Sequence, residues 1–172
     1  MTSVWPEPVD RVAAHLREAG AEARLEELVG SASTAAEAAE TIGCELGQIV
    51  KSLVFVCDDL PVVVLVPGDR RADAAKIARA AGAESARVGR PEEVEAATGF
   101  EPGGVAPFPG STGRRTLVEQ TLLTEALVWV GGGSPRHMVA LSPTELVRLT
   151  RGEPMDVVEE PAYHSLPETA QD

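Results

Sequence analysis

Residues 48–66 read QIVKSLVFVCDDLPVVVLV, and the reading of this stretch decides the fold. Lys51–Cys57 and Val62–Val66 are two apolar runs of strand length. Asp58–Leu60 between them has turn character, so the spacing predicts a hairpin. Runs this continuously apolar belong to strands covered on both faces. Side chains alternate along a strand, which puts Lys51 on one face with Leu53, Phe55 and Cys57, and Ser52, Val54 and Val56 on the other. A lysine at the head of such a run needs water or a partner. Either its stem packs while the amine snorkels out, or its ammonium stands where an anion or a polarised carbonyl can reach it.

Working outward, Val9–Ala19 has helical periodicity with Gly20 as its stop, and Ala23–Val29 reads as a strand. STAAEAAETIG, residues 33–43, starts a second helix. Thr34 and Glu37 have capping-box spacing, and Gly43 ends the helix. CELGQIV is a short helical approach to the lysine strand. Beyond the hairpin, a helix is predicted from about Ala72 to Ala81, a short strand at Ala86–Val88 and a helix from Pro91. Thr116–Glu119, Ala126–Val130 and His137–Leu141 read as strands. Ser142-Pro143-Thr144-Glu145 opens a last helix. Interspersed helices and strands, several joined by hairpins, predict an α+β protein with a mixed sheet.

The 172 residues suit one domain with a substantial core, assigned to 1–152, followed by a loose acidic tail at 153–172. No apolar run approaches the roughly 20 residues of a membrane span. The N-terminus has no signal-peptide pattern, so a cytoplasmic location is expected. Cys44 and Cys57 form neither a metal spacing nor a disulfide framework. Aromatics at 3% argue against stacking platforms for single strands. The net charge of −12 comes from residues 1–50 and 153–172, while residues 51–152 carry 12 bases and 12 acids. Arg70, Arg71, Lys76, Arg79, Arg87 and Arg90 lie close together in sequence, either as a solvated helix face or as a landing site for phosphates.

The loop Thr98–Gly110 is a second candidate site. Gly103-Gly104 lets backbone approach a ligand closely, and Pro102 and Pro107 restrict the chain around it. Gly131-Gly132-Gly133 lacks a following helix and reads as a hairpin turn rather than a phosphate site. His15, His137 and His164 have no Ser or Cys partner recognisable by spacing. No metal motif is present and no cofactor is expected.

Taken in order, STAAEAAETIG, QIVKSLVF, PVVVLVPGDRRADAAKIARAAG, EEVEAATGFEPGGVAPF, LVWVGGG and MVALSPTELVRL resemble the YbaK/ProX family of aminoacyl-tRNA deacylases, related to the editing domain of bacterial prolyl-tRNA synthetases. The resemblance runs from Val9 to Arg151. It implies a mixed, barrel-like curled sheet with helices packed around it. The implied activity is trans-editing hydrolysis of the ester of mischarged aminoacyl-tRNA by a freestanding domain. Lys51 matches the lysine the family needs, and Gly103 the first glycine of the substrate loop; these are the implied catalytic positions. Gly104, Pro107 and Thr34 are the implied substrate-binding positions. The implied nucleophile is water, the partner is the 3′ aminoacyl end of a mischarged tRNA, and a synthetase is a further candidate partner. Gly131 stands where some relatives have serine, and Met138 where some have an acid, which leaves the amino acid open. The competing reading is a non-catalytic module that binds a nucleotide or tRNA end and docks on a synthetase.

Overall fold

The computed structural model describes residues 4–109 and 114–161. The hairpin forms as the apolar runs require. β2 (Val50–Cys57) pairs antiparallel with β3 (Leu60–Pro67). Asp58 and Asp59 make the turn with φ of 47° and 70°. This two-residue left-handed turn matches the strands' twist, so Leu60 belongs to β3 rather than to the turn. The Asp58 carboxylate accepts backbone N–H bonds from Glu84 and Ser85, tying the turn to the segment that enters β4 (Ala86–Val88).

β2 and β3 are the middle of a five-stranded sheet in the order β4-β2-β3-β5-β8, where β5 is Arg115–Glu119 and β8 is Glu153–Met155. β5 runs parallel to β3, and β8 parallel to β5. A second, antiparallel sheet has the order β1-β7-β6, from Ala23–Glu27, His137–Leu141 and Val128–Ser134. The α+β class is as expected. The strands make two sheets, connected by a parallel bridge between Ile49 and Trp129. Val50, Val54, Val63, Leu65, Val118, Val130 and Val139 bury a common core with Phe100 and Phe108. On the opposite face of the hairpin sheet, Phe55, Val62, Val64 and Val66 pack with Ile77, Val157 and Val158. Burial on both faces explains why the two central runs have no polar alternation.

The helices are α1 (Glu7–Glu18), α2 (Ala35–Ile42), α3 (Ala74–Ala81), α4 (Pro91–Thr98) and α5 (Pro143–Thr150). Thr34 Oγ caps α2 by accepting the Glu37 N–H at 3.1 Å, and Gly43 ends the helix at φ 83°. Ser142 Oγ caps α5 from the Glu145 N–H. Asp73 caps α3.

Two expectations fail, both at strands. Gly131–Gly133 is not a hairpin turn but part of β6, with an irregular register between Gly131 and Ser134. The turn is Pro135–Arg136. Tertiary crowding explains the glycines. A Cβ on Gly131 would overlap the Val105 carbonyl oxygen, and one on Gly133 would meet Pro8 O at 2.9 Å. The acidic stretch from residue 153 is not loose at its start either. β8 extends the sheet, Val157 and Val158 are 0% and 1% exposed, and the buried Glu119 carboxylate accepts the Val157 N–H at 3.0 Å. His164 and residues 162–172 of the expected tail lie outside the described residues.

Candidate functional site

The two sheets meet at the start of β2, and a cavity of about 590 Å³ opens there. Its walls come from the 32–38 segment that leads into α2, from Ile49–Leu53, from Gly68, from the 103–105 loop and from the β6–β7 hairpin. Lys51, Gly103 and Thr34 all line it. These three residues are far apart in sequence, and the fold brings them to one opening.

The partner that Lys51 needs is a backbone carbonyl: its Nζ donates to Arg70 O at 2.9 Å. Burial pushes the Lys51 pKa below its ordinary value; Asp69 opposes that shift and Arg71 adds to it. A partly desolvated ammonium at a cavity wall interacts more strongly with an incoming anion or carbonyl oxygen than one in water. Ser52 lines the same cavity although alternation puts it on the other face from Lys51. The cavity wraps around the strand's leading end, where the Ile49–Trp129 bridge closes the seam. The Ser52 Oγ is buried and has no hydrogen-bond partner among the described residues. Sequence reading overlooked it. Its place beside Lys51 was the available signal.

Gly103 has φ of 94°, a backbone shape that favours glycine. Gly104 and Pro107 do not line the cavity. Gly104 is buried against Gly133 and Ser134, and its N–H is bonded to Glu101 O at 3.0 Å. Pro107 is buried. Gly110 lies outside the described residues. Thr34 reaches the cavity wall, but its hydroxyl is engaged with Glu37 as acceptor and donor.

The β6–β7 hairpin supplies a pairing that spacing did not reveal. Ser134 Oγ accepts the Arg136 N–H at 3.0 Å and lies 2.6 Å from His137 Nδ1. Burial lowers the His137 pKa, with Glu27 opposing and Arg136 adding, which favours a neutral imidazole. Ser134 lines the cavity; His137 is buried behind it, edge-on to Trp5. His15 stacks on Phe108.

The basic cluster resolves largely into ion pairs. Arg87 is bidentate on Glu93, Arg90 bonds Glu92, and Lys76 bonds Asp156 and Glu160. Arg70 bonds the Glu159 carbonyl, and Arg71 lies 3.8 Å from the Glu159 carboxylate. These pairs lie at the surface, with the Arg71 and Arg90 side chains still largely exposed. Among the described residues no cluster of His, Cys, Asp or Glu is arranged to hold a metal, and no helix is long and apolar enough to cross a membrane.

A family model described as aminoacyl-tRNA editing domain matches residues 29–149. An Enterococcus faecalis protein named "Putative Cys-tRNA(Pro)/Cys-tRNA(Cys) deacylase EbsC" is 30% identical over 121 residues, 70% of this chain and 74% of its own length. Proline–tRNA ligase of Nitratidesulfovibrio vulgaris is 35% identical over 103 residues, which is 60% of this chain but 18% of that longer protein. A solved structure described as a "putative trans-editing enzyme for prolyl tRNA synthetase" superposes with a TM-score of 0.84 at 38% identity, covering 91% of this chain and 99% of that one. With the model spanning both the lysine strand and the glycine loop, the chain belongs to the aminoacyl-tRNA editing domain family, the YbaK/ProX family its motifs resemble.

Proposed function

We propose that this protein is a trans-editing hydrolase that cleaves the ester of mischarged aminoacyl-tRNA. The observation that carries the reading is the convergence of Lys51 and Gly103 on one cavity in a chain of this family. The Lys51 ammonium anchors the phosphate of the 3′-terminal nucleotide or draws electron density from the ester. The Gly103 backbone orients the carbonyl and stabilises the charge that develops on its oxygen. Water attacks, assisted by the substrate's own amino, hydroxyl or thiol group. An aminoacyl ester is already labile, so positioning and electrostatics supply the remaining acceleration. Thr34 shapes the cavity wall at the start of α2, while Gly104 and Pro107 set the loop's position. The partner is the aminoacyl end of tRNA, with a synthetase as a second candidate. The expected location is the cytoplasm.

The test is a panel of mischarged tRNAs incubated with catalytic amounts of protein. Release of the amino acid from at least one member is expected. Tight binding without release from any member would replace the enzyme by the non-catalytic module.

A further inference from the structure

The loop that receives Lys51 is itself held by the far end of the chain. Residues 68–73 join β3 to α3, and residues 156–160 run beside them. Val158 bridges Ala72 antiparallel. Asp73 N donates to Val157 O at 2.9 Å, and Glu159 N donates to Arg71 O at 2.8 Å. The Arg70 guanidinium donates to Glu159 O at 2.7 Å. The Arg70 carbonyl therefore belongs to a loop tied to this segment through residues 70–73.

Lys76 on α3 fastens this strap. Its Nζ lies 3.0 Å from each Asp156 carboxylate oxygen, 2.8 Å from Val158 O and 2.9 Å from Glu160 Oε1. An ammonium has three protons, and three groups of one segment take them. Its side chain is 18% exposed, so these bonds are partly shielded from water. Lys51 and Lys76 are the only two lysines in the chain. One faces the cavity. The other binds the strap that fixes the first one's acceptor.

We propose that Lys76 and residues 156–160 are positioning elements for Lys51, holding the Arg70 carbonyl where it keeps the Lys51 ammonium at the cavity wall. A lysine stem is flexible; a fixed acceptor selects one arrangement before substrate arrives. A loop without the strap would let the carbonyl turn toward water and the amine follow it. This inference rests on the role given to Lys51 above.

The experiment uses the full chain and its two-lysine composition. Acylation by acetic anhydride across a pH series, read by mass spectrometry, reports the titration midpoint of Lys51 without interference from a crowd of amines. The charges acting on Lys51 are Asp69 and Arg71, both on the receiving loop. In Lys76→Met the strap loosens and water reaches Lys51, so its midpoint rises toward that of an ordinary lysine. Deacylation kcat falls about tenfold with KM little changed, as expected when a group is displaced rather than removed. Lys76→Arg restores both. Asp156→Asn with Glu160→Gln gives the same shift, smaller, and serves if Lys76→Met does not fold. An unchanged Lys51 midpoint in either folded variant overturns the proposal. A shifted midpoint in a protein whose wild type deacylates nothing supports the strap and overturns the deacylase reading instead.

Discussion

Gly131→Ala adds one methyl group at the contact between β6 and the 103–105 loop. The backbone at Gly131 is not in the left-handed region, so alanine meets no conformational strain there. The cost is steric. The new Cβ would overlap the Val105 carbonyl oxygen and press on Val105 C at 3.0 Å. The loop must retreat, and it has little freedom to do so locally, because Gly104 already packs on Gly133 and Ser134. Overpacking of this kind costs about 1–3 kcal/mol, a fall of roughly 2–12 °C in melting temperature for a chain of this size. Such a loss leaves an ordinary domain folded. Gly103 moves with the loop, and a misplacement of roughly 1 Å costs up to about a hundredfold in rate. Single-turnover release of amino acid from a mischarged tRNA, run beside a thermal melt, reads both quantities. Gly103→Ala is the control with the opposite physics: nothing lies within 4 Å of its Cβ, but its φ of 94° costs an alanine about 1–2 kcal/mol. A Gly131→Ala protein that melts lower yet turns over at the wild-type rate would refute the reasoning, because it would uncouple Gly103 from the glycine contact that sets its position.

Lys51→Ala should fold, since only one carbonyl bond is lost, and should lose most deacylation; near wild-type turnover would remove Lys51 from the mechanism. Deleting residues 153–172 should lower the melting temperature markedly. Val157 and Val158 alone contribute about 3–6 kcal/mol between them, and the Glu119 carboxylate loses a buried partner. Deletion of 162–172 alone is the comparison that isolates the strap, and equal melting of the two truncations would show that the strap adds nothing. Acid sensitivity follows from Glu145, whose carboxyl Arg148 and the Glu22 N–H hold at about 2. Its folded value lies below the unfolded one near about 4.3, so this stabilisation is present above that value and is lost as pH falls toward 2. The pair sits at the surface and is worth at most about 1 kcal/mol. Glu145→Gln should flatten that part of the stability–pH curve measured by denaturant melts.

Local chemistry made much of this readable in advance. Thr34, Gly43, Ser142 and Pro143 mark helix ends because capping needs only a few neighbouring residues. Asp58-Asp59 marks a turn for the same reason. What sequence concealed was decided at long range. Glu153-Pro154-Met155 is short, acidic and broken by proline, and nothing in it signals a strand until β5 lies alongside. Gly131–Gly133 has poor strand propensity, and its use becomes evident when Val105, Pro8 and His137 crowd the same backbone. Ser134 and His137 pair because the turn falls at Pro135–Arg136, one step beyond the glycines. For the site, Lys51 and Gly103 reach the cavity, whereas Gly104 and Pro107 are buried and do not line it.

The antiparallel clasp between residues 71–73 and 157–159 also sets a timetable. Glu159 is 88 positions beyond Arg71, and such distant pairings form late because the intervening chain must first be ordered. On a ribosome, where the chain emerges from its N-terminus, the hairpin carrying Lys51 is exposed long before the strand and strap that complete its surroundings. A nascent or prematurely terminated chain would thus own the lysine but lack the seat for it, and the loop that receives the lysine would be fixed only once residues 157–159 had emerged.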